Sequence, residues 1–329
     1  MVSATAGLLT LLYALPATAA TAATAAGGAD GRLCADGSAP VHDAAHADDA
    51  AHADDSAPAD ARIRPGSGGA LADPESLTPA QVAQRERQFA QLQRGRSVGP
   101  LAQAAVTVPV VFHLISRDGS RYTGNVPDEM VHAQMRVLND SYRGATGGVD
   151  TGFTFTLQAI NRVIKPEWYP IWRGSPAVDE MKRELRRGGM ETLNIYASHT
   201  NSEGTYGWST FPQPAYNTND GVVIQHETMP GGTARQYNLG DTAVHEVGHW
   251  LNLYHTFQNG CLNGGDQVAD TADEETPALD CPVGKDTCAT AGQDPIHNFM
   301  DYTEDTCTYE FTAGQAARMA SAWSVYRAP

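Results

Sequence analysis

The stretch His245-Glu246-Val247-Gly248-His249-Trp250-Leu251-Asn252-Leu253-Tyr254-His255 decides how this chain is read. Two histidines four apart on a helix lie on one face, so both imidazoles can reach one metal ion. Glu246 falls beside them without being a ligand, where it can take a proton from zinc-bound water. Val244, Val247, Leu251 and Leu253 supply the buried side, and Asp241-Thr242 precede the helix as its expected cap. His255 cannot share the helical face unless the chain turns sharply. Asn252 stands where that turn must occur, and Asn is second only to Gly for left-handed backbone at a helix end. Three neutral histidines leave a fourth tetrahedral position open, the mark of a catalytic rather than a structural site. By composition, H-E-x-x-H arises by chance only about 0.015 times per such chain, and with the third histidine about 0.0005 times. Ordinary core histidines are therefore the weaker reading.

Upstream of this helix the pattern is mixed. Residues 108–115 read as a strand apolar enough to be central, and Val126-Pro127-Asp128-Glu129 opens a helix running to Tyr142. Residues 153–160 alternate like a strand, and 178–187 read as a charged, mostly exposed helix. Short strands follow at 193–196 and 221–224. This order predicts an α/β or α+β domain with a mixed sheet backed by helices.

The N-terminus reads differently. Leu8 to Leu15 form a short apolar run followed by small-residue repeats, which predicts a signal peptide over residues 1–26 and hence secretion. Residues 27–70 are rich in Ala, Asp, Gly and Pro and carry a six-residue His/Asp repeat, so they are expected to be a disordered linker. Thr78-Pro79 reads as a helix start, Thr78 capping and Pro79 at the first helical position, with the helix running to Arg94. Residues 27–104 thus read as a pro-region and 105–329 as the folded domain.

Composition excludes some partners. The formal charge of −16 argues against nucleic acid, which needs a basic stripe. No apolar run reaches the roughly 18–20 residues of a membrane span. Residues 266–310 hold 12 acids against one base, Lys285. Cys261, Cys281, Cys288 and Cys307 cluster in the last quarter, which fits an oxidising compartment, and three pairings are open to them. A structural cysteine–zinc site lacks the expected C-x-x-C.

The histidine stretch resembles the zinc signature of metzincin peptidases, specifically the pappalysin (cytophagalysin-like) branch, and Asn298-Phe299-Met300-Asp301-Tyr302 resembles that family's Met-turn. The likeness spans about residues 105–325. The family usually has Gly where Asn252 stands. The resemblance implies an α/β, metzincin-type, two-subdomain zinc peptidase. A mixed twisted sheet with backing helices lies above the cleft. An irregular, disulfide-tied subdomain with a C-terminal helix, about Ala313 to Tyr326, lies below. His245, His249 and His255 would bind zinc, and Glu246 would serve as general base and then proton donor to the leaving amine. Met300 would lie under the imidazoles as an apolar floor. Tyr302 would hydrogen-bond the tetrahedral oxyanion. The family pairing of cysteines would be Cys261–Cys288 and Cys281–Cys307.

Four further expectations follow. Asp266 and Thr271 resemble a calcium-binding segment with hard oxygen ligands. The acidic stretch would favour Arg or Lys just after the cleaved bond. Gly204 to Pro212 would form the edge strand above the cleft, to which an extended peptide adds antiparallel. Cys34, the odd cysteine, is either a latency thiolate on the metal or a residue cut away on maturation. The reading is thus a secreted zinc endopeptidase made as a zymogen and acting on protein or peptide. The alternative, an inactive peptide-binding module on the same fold, is disfavoured because Glu246, all three histidines and Tyr302 are present.

Overall fold

The computed structural model describes residues 59–63, 76–94, 105–200, 205–262, 264–290 and 292–328. The signal segment, the His/Asp repeat and Cys34 lie outside these residues. No helix among the described residues is long and apolar enough to cross a membrane.

Six strands form one mixed sheet: β1 (Ala59–Ile63), β2 (Val106–Ser116), β3 (Phe153–Ile164), β4 (Leu193–Ser198), β5 (Thr205–Thr210) and β6 (Val222–Gln225), in the order β1-β5-β6-β4-β2-β3. Strands β3, β2, β4 and β6 run parallel, whereas β5 is antiparallel to β6 and β1 antiparallel to β5. Both faces of the parallel core are covered, as parallel sheets require. Alternate side chains divide between them: Leu193, Ile195, Ala197, Val222 and Ile224 enter the main core, while Tyr196 and Val223 face the other way.

Five helices accompany the sheet: α1 (Pro79–Arg94), α2 (Asp128–Tyr142), α3 (Pro176–Leu185), α4 (Asp241–Trp250) and α5 (Ala313–Ala322). Helices α2 and α4 pack in the main core through Met130, Val131, Leu138, Val244 and Val247, and α3 covers the opposite face through Val178, Met181 and Leu185. The expected mostly exposed helix at 178–187 is therefore corrected. It starts earlier, on the Ser175 cap and Pro176, and four of its residues are buried. One of them is Lys182, whose ammonium donates to Thr210 Oγ1, Asn219 O and Gly221 O while burial holds it down at about 8. These acceptors replace water for a charge the sequence pattern would leave outside.

Two more expectations are corrected. The composition of residues 27–70 predicts a disordered linker, yet 59–63 form strand β1. A strand this short and polar gains order from its partner edge and from one anchored side chain rather than from its own pattern. Asp241-Thr242 do not cap α4: Gly240, at φ +106°, is the cap residue, and Asp241 sits in the first turn accepting from Thr308 Oγ1.

Below the sheet, residues 251–312 carry no long regular element and are tied by Cys261–Cys288 and Cys281–Cys307. Each bridge closes a loop of 26 or 27 residues. By loop entropy each constrains the unfolded chain by about 3 kcal/mol. Replacing Cys281 and Cys307 together by Ser is expected to lower the urea midpoint by a corresponding amount. An unchanged midpoint would show that the loop is held by its other contacts.

Candidate active site

Helix α4 ends at Trp250, and the backbone reverses at Asn252 with φ +76°. Left-handed backbone costs Asn little, since its short side chain tolerates the region. The reversal brings His255 back to His245 and His249. Their Nε2 atoms lie 3.1, 3.1 and 3.2 Å from one another. All three imidazoles are buried.

Two ring orientations are set by carbonyls, which only accept. His245 Nδ1 donates to Phe299 O at 2.7 Å and His249 Nδ1 to Leu253 O at 2.8 Å. Each therefore keeps a bare Nε2 toward the centre. Desolvation lowers all three pKa values, that of His249 to about 4, so the rings are neutral at physiological pH. The two bare Nε2 lone pairs converge with the Nε2 of His255, an arrangement that a cation between the three would relieve. Phe257 stacks on the face of His255 at 4.7 Å and Tyr302 meets its edge at 4.8 Å.

The Met-turn lies under this cluster. Met300 is buried, and a Cβ on Gly248 would collide with its sulfur, which explains the glycine inside the motif. Asn298 Oδ1 accepts from Met300 N and Asp301 Oδ1 from Tyr302 N, so the turn's own side chains fix it.

Strand β5 forms the upper rim above Glu246. Gly207 is needed there because a Cβ would press on Val223 O and on Glu246. Strand β1 lies antiparallel on this edge, with Ala61 opposite Trp208 and Arg62 opposite Gly207. Arg62 N donates to Glu246 Oε1 at 3.1 Å. Its side chain, 1% exposed, enters a pocket where Nη2 donates to Thr303 O at 2.7 Å and pairs with Asp305 Oδ1 at 3.1 Å. Tyr237 lies against the guanidinium, 5.2 Å from ring centroid to Cζ. Asp241 is buried nearby and pushed up to about 8, by burial first and by Asp305 second, while Arg62 lowers it.

Sequence reasoning missed Arg62, Thr303 and Asp305. Asp305 follows Tyr302 by three residues but stands among twelve acids of one stretch, with no pattern to single it out. Elsewhere in that stretch, Lys285 neutralises Glu274 and Asp294. Asp266 is buried and pushed up to about 8 by burial. Its Oδ1 accepts from Val268 N at 2.9 Å, and the Thr271 hydroxyl lies beside the carboxylate.

A mixed sheet over a helix that bears three convergent histidines and a carboxylate, closed below by a Met-turn, defines a metallopeptidase of the metzincin kind. The family described as pregnancy-associated plasma protein-A, Peptidase_M43, matches residues 190–324. Extracellular metalloprotease 1 of Coccidioides posadasii is 38% identical over 77% of this chain and 89% of its own length. The extracellular metalloprotease of Verticillium alfalfae is 40% identical over 69% and 79%. Among solved structures, Tannerella forsythia mature mirolysin in complex with a cleaved peptide is 28% identical, with a TM-score of 0.56 over 67% of this chain and 92% of its own. A promirolysin variant from the same organism is 26% identical, with a TM-score of 0.61 over 76% and 91%. The chain belongs to this pappalysin family of metalloproteases, and protein or peptide is its substrate.

Gly248→Ala is expected to destabilise the protein by about 1–3 kcal/mol through overpacking against Met300. In a Met300→Ala background the same change should cost much less, because the sulfur is gone. Denaturant midpoints of the three variants check this, and simple additivity would remove the contact from the account.

Proposed function

We propose that this chain is an extracellular zinc endopeptidase, made as a zymogen, that cuts peptide bonds on the amino side of arginine or lysine. The carrying observation is Arg62. Its main-chain nitrogen hydrogen-bonds Glu246 while its side chain fills the Asp305 pocket. That is the pose expected of a residue following a scissile bond, so Ala61–Arg62 is the proposed processing bond. Relatives named extracellular metalloproteases support the location, and the promirolysin relative supports a proform.

The donor set fits zinc. A tetrahedral ion about 2.0–2.1 Å from each nitrogen would hold neighbouring nitrogens about 3.3–3.4 Å apart. The 3.1–3.2 Å separations here are close to that. Bound there by His245, His249 and His255, zinc supplies Lewis-acid polarisation of the carbonyl and of the attacking water. Strand β5 holds the substrate backbone as an added antiparallel strand. Glu246 takes the water's proton and delivers it to the leaving nitrogen, the atom that Arg62 N represents. Tyr302, edge-on to His255, donates its phenol to the developing oxyanion. Met300 keeps the floor apolar. Asp305 and Thr303 O select the basic side chain. The preference for a basic side chain thus rests on one desolvated carboxylate rather than on the overall charge of the acidic stretch.

Zymogen character draws support from β1, which sits on the edge an incoming substrate needs. Calcium is proposed at Asp266 and Thr271, where a buried carboxylate and a buried hydroxyl come together. A signal peptide over residues 1–26 completes the reading, with Cys34 either a latency thiolate or a residue cut away on maturation. An inactive peptide-binding module would have no need to set a carboxylate against a backbone nitrogen.

Peptides released from a denatured protein mixture by the zinc-loaded enzyme test this by mass spectrometry. Cuts are expected before Arg and Lys, abolished in Glu246→Gln. Asp305→Asn should lower cutting before Arg by about 100-fold, the loss of about 3 kcal/mol of charge pairing in a desolvated pocket. Absence of cutting with zinc bound would favour the binding module. Unbiased cutting would remove the pocket's role. Calcium at 100 times its dissociation constant should stabilise the fold by about 2.7 kcal/mol, and Asp266→Asn should abolish that gain in thermal melts. Equal melting with and without calcium would remove the ion.

A further inference from the structure

We propose that helix α1, read from the sequence as part of the pro-region, is a permanent part of the enzyme that clamps the turn at Asn252, with Arg85 and Glu86 as positioning residues for His249 and His255. The inference rests on the reading of His245, His249 and His255 as zinc ligands.

The turn is gripped from both sides. Arg85 Nη2 donates to Asn252 Oδ1 at 3.2 Å and to Pro212 O at 3.4 Å, with its guanidinium 4.5 Å over the Phe211 ring. Arg318, on α5, donates from Nε to Asn252 O at 2.8 Å. Glu86 joins the two grips. Its carboxylate accepts from Arg318 Nη1 and Nη2 at 3.1 and 2.5 Å and from Tyr254 OH at 2.9 Å. Asn252 and Tyr254 therefore turn toward α1. The residues between and after them, Leu253 and His255, serve the metal site: Leu253 O orients His249 and His255 is the third ligand. Holding the outward pair fixes the inward pair.

The docking is that of a built-in element. Leu77 and Val82 are buried with Phe211 and Tyr254, and Phe89 with Ala322, Val325 and Tyr326. Gln258 Nε2 donates to Leu77 O at 2.8 Å. Helix α1 lies C-terminal to Ala61–Arg62, so cleavage there divides β1 and leaves α1 attached. Asn252 also gains a second meaning. The family's usual glycine would supply the turn but no side-chain acceptor for Arg85, so this chain exchanges backbone ease for a tie to α1.

The test uses the full chain and zinc alone, with zinc affinity measured by competition against a chromophoric chelator. Arg85→Ala, Asn252→Gly and Glu86→Gln should each weaken zinc binding by about tenfold, the lower range for groups that orient metal ligands. The Arg85→Ala/Asn252→Gly double variant should be no weaker than the worse single one, because both remove the same hydrogen bond. Arg85→Lys keeps the stem on Phe211 and gives the same reading should Arg85→Ala fail to fold. Wild-type affinity in Arg85 and Glu86 variants that fold, or additive losses in the double variant, would overturn the clamp. So would a self-processed enzyme that lacks peptides from 79–94 and binds zinc undiminished. A chain that binds zinc but cuts no peptide would sink the peptidase reading and leave the clamp standing, and one that binds no zinc would sink both.

Discussion

Everything at this site depends on the chain reversing at Asn252. A straight continuation of α4 would carry His255 away from the other two imidazoles. The left-handed residue instead ends the helix within one turn, and Leu253 N bonds back to Gly248 O. The same reversal presents Leu253 O to His249. One backbone feature therefore supplies the third histidine and sets the tautomer of the second. The Met-turn does the same service for His245 through Phe299 O. The site is assembled by carbonyl oxygens from two turns, each held by its own side chains or by neighbouring helices.

The second constraint is charge in a dry pocket. Asp305 and Asp241 lie buried close together, and burial pushes both carboxyls up. An arginine lowers both, so the pocket is most comfortable as a carboxylate when a guanidinium fills it. A buried charge stripped of its partner is costly, so the proposed role of the pocket is selection rather than mere attraction. In the described structure that partner is Arg62 from the chain itself. On the proposed reading, blocking and recognition would be the same contacts: the segment over the cleft would present what the cleft selects.

Much of this was legible from residues. The histidine spacing, the need for a turn at Asn252, the Met-turn, the Thr78–Pro79 start of α1 and the alternation of the core strands are local patterns with local causes. Four features were not. Strand β1 has no apolar pattern of its own and exists because an edge and a pocket receive it. Asp305 matters through burial, which composition cannot reveal among so many acids. Asp241 looked like a cap, but Gly240 takes that place and frees it for the pocket. Helix α3 looked exposed because Lys182 counted as polar, although its ammonium finds three oxygens inside. Each miss is a case of tertiary contact overriding what a segment prefers alone.

Intact-mass spectrometry of the full-length chain, produced with zinc and in parallel as Glu246→Gln, tests the central claim most directly. The account predicts a species beginning at Arg62 for the zinc-loaded chain and an uncut Ala61–Arg62 bond in the variant. A zinc-loaded chain that keeps that bond intact, or that is cut there equally well without Glu246, would contradict it.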